Sequence, residues 1–162
     1  MRDIAQEANL ALGTVYRYFP SKELLLAYVF EEWCEGYWER LAETADGRAN
    51  VDRLIELSRR SVEAYANEPN IHAMITSLQL STDPAVIALM SEITQRAARF
   101  FLDNIKGLDE PDAVGVVEVV FAVMGAKLGA WGRGLTTIAD VYTSMEKTVR
   151  LLLEFRDPKM KK

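Results

Sequence analysis

The stretch ANLALGTVYRYFPSKELLL, residues 8–26, decides the fold of the N-terminal region. The pattern predicts a short helix over 2–8, a turn over 9–12 and a second helix over 13–19, which ends because Pro20 follows. Two short helices joined by such a turn have the spacing of a helix-turn-helix, whose second helix enters the major groove of DNA. The stretch therefore predicts a local DNA-reading unit.

The second helix has an inward and an outward face. Val15 and Phe19, four residues apart, are expected to pack on the core. Lys22 follows at the start of the next helix, where free backbone N–H groups favour a phosphate. The residues expected to meet DNA are Gly13, Thr14, Tyr16, Arg17, Tyr18 and Lys22.

Composition limits what kind of nucleic-acid binding is expected. The 162 residues carry 19 basic and 24 acidic side chains, a formal charge of −5, which argues against sequence-blind binding to phosphate backbones. Within residues 1–22, three basic side chains (Arg2, Arg17, Lys22) face two acidic ones (Asp3, Glu7), so this segment is locally +1. Any contact with DNA is therefore expected to be confined to this end.

Other classes of protein are disfavoured by the residue inventory. One histidine and one cysteine, Cys34, do not supply the usual metal clusters, and no glycine-rich phosphate loop occurs, so neither an enzyme, a metal nor a cofactor is expected. The apolar run 113–126 contains Glu118 and is too short to span a bilayer alone. The N-terminus lacks a signal-peptide layout, so we expect a cytoplasmic protein without a membrane partner.

The rest of the chain is predicted to be all-α. An apolar stripe predicts a long helix from Ser21 to about 46–47, and a further helix begins near Val51. Later helices are expected to open at Pro69, Pro84 and Pro111, because proline suits a first helical turn. The last helix follows Gly134, and no stretch alternates with period two, so no sheet is assigned.

The segment IAQEANLALGTVYRYFPSKELL, Ile4 to Leu25, closely resembles the DNA-binding segment of the tetracycline-repressor (TetR) family. Position by position, the resemblance implies phosphate or base contacts from Thr14, Tyr16, Arg17 and Tyr18, close backbone approach at Gly13 and a phosphate contact from Lys22. Two segments, GTVYRYFPSKELLL and AWGRGLTTIADVYTSMEKTVRLLL, look like relatives that repress sterol or lipid catabolism.

The resemblance also implies an architecture. It predicts a partial helix-turn-helix at 1–22, a larger α-helical domain at 23–158 that binds an effector and dimerises, and a basic tail at 159–162. The family's DNA-binding domain normally begins one helix earlier, so we expect an omitted N-terminal segment. If the sequence is complete, DNA binding is predicted to be weak or absent.

Aromatic and methionine side chains in the larger domain predict an apolar cavity, because several helices contribute them. Each is also compatible with plain core packing, and His72 with a hydrogen-bonded or surface histidine. The pocket candidates are Trp38, Tyr65, His72, Met74, Phe101 and Met124.

The helix from 112 to about 133 is apolar nearly all round, which predicts cover on both sides. Glycines at three- and four-residue spacing permit close helix approach, and pairing with the last helix would give a four-helix interface around a two-fold axis. An internal helix of a monomer is the alternative. The interface candidates are Phe121, Gly125, Gly129, Gly132, Met145 and Val149.

Taken together, the sequence predicts a ligand-responsive transcriptional regulator. A homodimeric repressor would bind double-stranded palindromic operator DNA, and a small apolar effector would release it by moving the helix that begins at Ser21. The alternative is an all-α carrier or sensor of hydrophobic ligands that does not bind DNA.

Overall fold

A computed structural model of the chain describes residues 1–42 and 50–154. Within these ranges it contains eight α-helices and no strand, which confirms the predicted all-α class. The helices are α1 (Arg2–Glu7), α2 (Leu12–Tyr18), α3 (Lys22–Ala42), α4 (Asn50–Asn67), α5 (Pro69–Leu78), α6 (Pro84–Asp103), α7 (Glu110–Gly132) and α8 (Ile138–Glu154). The predicted end of the long helix at 46–47 and the basic tail at 159–162 lie outside the described residues.

Helix starts follow the capping signals in the sequence. The Ser21 hydroxyl accepts the Leu24 N–H at 3.0 Å, and the Asp83 carboxylate accepts the Ala85 N–H at 2.9 Å. Proline occupies the first turn of α5, α6 and α7. The cap of α7 is Asp109, whose carboxylate accepts the Asp112 N–H, so this helix begins one residue earlier than its proline.

Two apolar clusters form the larger domain. One centres on α4, α7 and α8, where Leu54, Val120 and Val141 are fully buried. The other joins α3, α5 and α6 through side chains such as Ala27, Leu78 and Val86. A cavity separates the two clusters where α3, α4, α5, α6 and α7 converge. This division into two clusters is what leaves room for a ligand.

Helix α7 is the most apolar element of the fold. By length and composition it is the one described helix that would suffice to cross a bilayer, with 28% of its apolar window buried in the protomer. It packs against α4, α5, α6 and α8, with Val116 and Val117 inside. Val119 on its outer side is 42% exposed, so part of its apolar surface is left uncovered by the described residues.

Candidate DNA-reading helix and effector cavity

The turn between α1 and α2 is built by a left-handed residue. Asn9 has φ of 53°, a conformation that asparagine tolerates better than most residues. Its N–H bonds to the Gln6 carbonyl at 3.0 Å, and the Leu10 N–H bonds to the Ala5 carbonyl at 2.8 Å. These two bonds form a Schellman motif, which stops α1 and turns the chain into α2.

A small core fixes α2 against its neighbours. Ala5, Val15 and Leu25 are the buried side chains, one from each of α1, α2 and α3. Phe19 packs on this core and meets Tyr28 edge-on, with ring centroids 5.8 Å apart. Val15 and Phe19 therefore lie where helical spacing predicted, and they hold the orientation of α2 to the head of α3.

The outward side of α2 and the start of α3 carry the predicted DNA contacts. Tyr16, Arg17, Tyr18 and Lys22 are exposed, and Thr14 is half-buried. The Arg17 guanidinium lies over the Tyr18 ring, 5.1 Å from its centroid, which keeps both groups pointing outward. This end therefore presents cationic and aromatic side chains on α2 and on the first residue of α3.

Gly13 has a different role from the glycine of a strained turn. Its φ is not positive, and a Cβ built on it meets nothing within 4 Å. Neither backbone conformation nor packing inside the protomer therefore requires glycine here. The open space beside its backbone is what close approach of an external molecule needs.

The larger domain contains a cavity of about 510 Å³. Helix α3 supplies an aromatic wall, in which the Trp33 ring is stacked on Tyr37 with centroids 5.6 Å apart and lies 5.6 Å from Tyr65. The five lining residues from α3 are Phe30, Trp33, Cys34, Tyr37 and Trp38. This side of the cavity is therefore largely aromatic, as the walls of small-molecule sites often are.

Five of the six predicted pocket residues line this cavity. They are Trp38, Tyr65, His72, Phe101 and Met124. Met74 is not among the lining residues, because it packs in the cluster of α3, α5 and α6 while its neighbour Ile75 faces the cavity. The lining also includes Ser61, Thr76 and Thr94, which sequence reasoning missed because such residues are equally common on exposed helix faces.

The polar groups along the α3 wall are neutral. Tyr37 and Ser61 hydroxyls share a hydrogen bond of 3.1 Å, and burial raises the pKa of Tyr37 to about 12. Burial also raises the pKa of Cys34 to about 12, so its thiol does not ionise near neutral pH. Burial likewise raises the pKa of Tyr65, whose hydroxyl has no hydrogen-bond partner among the described residues. This wall offers hydrogen bonds but no charge.

His72 joins the start of α5 to the end of α7. Its ring meets Trp131 edge-on at 5.4 Å, and a Cβ at Gly132 would collide with the imidazole. Burial lowers the pKa of His72, and a hydrogen bond to the Leu128 carbonyl opposes this effect. His72 therefore favours its neutral form at one end of the cavity.

The six residues predicted for the dimer interface lie in different surroundings within the protomer. Phe121, Gly125 and Gly129 line the cavity, and the imidazole of His72 lies against Gly132. Met145 and Val149 on α8 are only 2% and 0% exposed, because they pack into the core. Gly125 and Gly132 are nevertheless exposed, so the predicted stripe is divided between the surface and the core.

A different face of α7 and α8 is apolar and exposed. Val119 is 42% exposed and Leu151 is 58% exposed. Since α7 and α8 form an antiparallel pair, and the two residues lie equally far from the connecting turn, they fall at the same level of the pair. Ala122 extends the exposed surface by one turn of α7.

The head of α3 is tied to the segment that follows α5. The Ser21 hydroxyl donates to the Asp83 carboxylate at 3.3 Å, and the Ser81 hydroxyl donates to the Glu23 carboxylate. Helix α5 itself lines the cavity through residues that include Ile75 and Thr76, and its C-cap Gln79 lines it as well. The cavity and the reading end therefore share one continuous set of contacts.

Arg96 of α6 holds the body of α3. It forms ion pairs with Glu31, at 2.5 Å, and with Glu35, and its guanidinium lies over the Trp38 ring at 5.6 Å. Trp38 is also a cavity-lining residue, so a ligand that moves it would disturb this clamp. No group of three or more potential metal ligands occurs within the described part of the chain.

Two family models match this chain, one at its N-terminus and one over most of the remainder. The family described as "Bacterial regulatory proteins, tetR family" matches residues 1–29, and the family described as "Tetracyclin repressor-like, C-terminal domain" matches residues 47–152. The chain is 28% identical over 154 residues to the HTH-type transcriptional repressor KstR of Rhodococcus jostii. The aligned region covers 94% of this chain and 72% of that protein.

A second relative and a solved structure are also similar to this chain. KstR of Mycobacterium tuberculosis is 24% identical over 159 residues, covering 97% of this chain and 72% of that protein. A crystal structure of a TetR transcriptional regulator from Rhodococcus sp. RHA1 matches with a TM-score of 0.79 at 21% identity, over 94% of this chain and 82% of the other. At that identity the likeness shows a shared fold.

Proposed function

We propose that this chain, which belongs to the TetR family of bacterial regulatory proteins, is a transcriptional repressor that a small apolar effector releases from operator DNA. The observation that carries the proposal is the double role of α3. Its first turns pack on the reading helix through Leu25, and its body supplies five residues to the cavity wall. One helix therefore belongs to both sites. The proposed domain boundary, between residues 22 and 23, falls at the start of this helix.

In the proposed complex, α2 lies in the major groove. Arg17 and Lys22 are the cations available for phosphates or base edges, and Tyr16 and Tyr18 add hydroxyl and ring contacts. Thr14 and the open backbone at Gly13 complete the contact surface. The carrier without DNA binding is disfavoured, because the N-terminal family match covers this reading unit.

Regulators of this family act as dimers, and we propose that α7 and α8 form the contact. The contact residues proposed there are the exposed apolar Val119, Ala122 and Leu151, in place of the buried Met145 and Val149. Two copies of the α7–α8 pair would form a four-helix interface. Such a dimer would place the two reading helices about one DNA turn, or about 34 Å, apart.

The mechanism is a population shift between two positions of α3. An effector that binds between α3, α5 and α7 would move α5, whose following segment is bonded to Ser21 and Glu23 at the head of α3. The head of α3 also carries Lys22, so its displacement changes the placement of the phosphate contact and of α2. Effector and operator would then weaken each other's binding by the same factor.

The cavity favours an apolar effector of moderate size, because aromatic and methionine side chains dominate its walls. A relationship to repressors of sterol or lipid catabolism, which the sequence suggests, would fit such a cavity. We propose a cytoplasmic location, as suits a DNA-binding regulator, and no catalytic activity.

Selection of genomic DNA fragments by the natural full-length protein tests this function. We expect enrichment of a two-fold-symmetric sequence whose half-sites are about one helical turn apart. Retention of every fragment alike, or of none, would contradict the proposal. A ligand screen that reads tryptophan fluorescence then identifies molecules that dissociate the selected fragment.

A further inference from the structure

One end of the effector cavity carries a positive charge. Among the described residues that line the cavity, Arg133 is the one that is charged at neutral pH, and none is Asp, Glu or Lys. His72 lies near this end, where burial lowers its pKa and so favours its neutral form. Arg133 is solvent-exposed, so it places one positive charge at the mouth of the cavity.

The Arg133 guanidinium lies on the cavity side of α7. Its Nη1 atom is 3.4 Å from the position that a Cβ on Gly129 would take, and Gly129 is itself a lining residue. The glycine thus leaves room for the arginine to fold back over the helix. In this position the guanidinium lies beside the cavity lining while remaining accessible to solvent.

Arg133 has no ion pair within the described part of the chain. Several other arginines of the larger domain are paired, among them Arg59 with Glu56 and Arg96 with Glu31. A guanidinium beside an apolar cavity without a carboxylate partner is a ready site for one carboxylate, which it can bind through two N–H donors.

The remainder of the cavity suits an apolar body. Phe121 of α7 and Arg133, which caps the C-terminus of α7, both line it, and their separation of twelve positions corresponds to about 18 Å along the helix axis. A Cβ on Gly125, between these two positions, would meet nothing within 4 Å. Phe101 meets Phe121 with ring centroids 5.0 Å apart and closes the far end. An elongated ligand can therefore lie along α7.

We propose that the effector is an apolar molecule with one anionic group, a carboxylate, which binds Arg133 while the apolar body extends along α7 toward Phe121 and Phe101. This inference rests on the proposed function, since it specifies the ligand class of the same cavity. The hydroxyls on the α3 wall are neutral and offer no competing counter-charge. The anionic group therefore fixes the orientation of the ligand.

Two matched pairs of probes test the inference. The linear pair is myristate and methyl myristate, and the polycyclic pair is lithocholate and methyl lithocholate, all at submicellar concentration. Binding is followed by the fluorescence of Trp33 and Trp38, which line the cavity. For at least one skeleton we expect the acid to bind about tenfold more tightly than its ester, because an added charge-assisted hydrogen bond has about that value.

Variants assign the preference to Arg133. Arg133→Gln should reduce the advantage of the acid to about twofold or less without weakening the ester, and Arg133→Lys should retain part of it. Arg99→Gln is the matched control, since Arg99 is an exposed arginine of α6 outside this cavity, and it should change neither affinity. If Arg133 only stabilised the C-terminus of α7 through the helix dipole, Arg133→Gln would leave the ratio of acid affinity to ester affinity unchanged.

The possible failures are distinguishable. Equal binding of acid and ester, or an acid preference that survives in Arg133→Gln, would overturn the anionic assignment while leaving the apolar effector intact. Binding of neither skeleton in either form would count against the apolar effector and would remove the basis of this inference as well.

Discussion

The two proposed sites differ in exposure: the candidate DNA contacts of the N-terminal helices lie on the surface, whereas the candidate ligand contacts of the larger domain line a cavity. At the reading end, the small core consists of Ala5, Val15 and Leu25, and the side chains proposed to act are on the outside. In the larger domain, the side chains proposed to bind the effector line a cavity between two large apolar clusters. An outward site is marked by polar and aromatic residues at exposed spacing, whereas an inward site has the same composition as the core around it.

The largest expected effect tests whether the α8 residues are core or interface. Met145 is 2% exposed, so Met145→Ala should lower the free energy of unfolding by about 2–5 kcal/mol through lost burial and a residual cavity. Chemical denaturation at two protomer concentrations measures this loss, and it should be similar at both.

Val119→Asp is the contrasting variant. Because Val119 is exposed, its replacement should leave the protomer folded and shift the sedimentation coefficient toward the monomer. A dimer that survives Val119→Asp but dissociates in Met145→Ala would restore the interface predicted from sequence.

The second effect concerns the reading helix. Arg17→Ala in the full-length protein should weaken operator binding about 100-fold, because each protomer loses a charged contact that a neutral side chain does not replace. Ligand titrations monitored by tryptophan fluorescence should be unchanged, since Arg17 lies outside the cavity. Undiminished operator binding, measured by fluorescence anisotropy at fixed salt, would contradict the placement of α2 in the groove.

A smaller effect addresses the connection between the two regions. Ser81→Ala removes the hydrogen bond to Glu23, so the factor by which effector and operator weaken each other should fall about fivefold. Ser77→Ala is the matched control, because the Ser77 hydroxyl bonds within α5 to the Met74 carbonyl. If this factor is unchanged in Ser81→Ala, the hydrogen bond between Ser81 and Glu23 does not connect the cavity to the reading helix.

The smallest expected effect is a pH dependence of the folding stability of the larger domain, which arises from Glu56. Hydrogen bonds from Arg59 and Arg60 lower the pKa of Glu56 from 4.5 to about 2. The stabilisation is therefore present above pH 4.5 and is lost as pH falls toward 2. Glu56→Gln should cost about 1 kcal/mol or less at neutral pH, and the difference from wild type should vanish in acid denaturation near pH 2.

The sequence predicted the elements whose chemistry is local. Ser21 and Asp83 cap their helices, and prolines open α5, α6 and α7, because capping and proline geometry depend only on a few adjacent residues. The inward direction of Val15 followed from helical spacing for the same reason.

Features that depend on packing between helices were not predictable in this way. Helix α7 is apolar on every side, so its sequence did not show that Phe121 and Gly125 face the cavity while Val119 faces outward. Met74 and Ile75 are adjacent and similarly apolar, yet only Ile75 lines the cavity. The orientation of a helix about its axis is set by its neighbours, which a single sequence does not specify.

The central claim is that the cavity and the reading helix are two sites of one equilibrium. Its most direct test is the affinity of a cavity ligand, identified by the fluorescence screen, for the free protein and for the protein saturated with its selected operator fragment. We predict weaker binding to the operator complex, by the same factor by which the ligand reduces operator affinity. Equal affinity for the two forms would contradict the account.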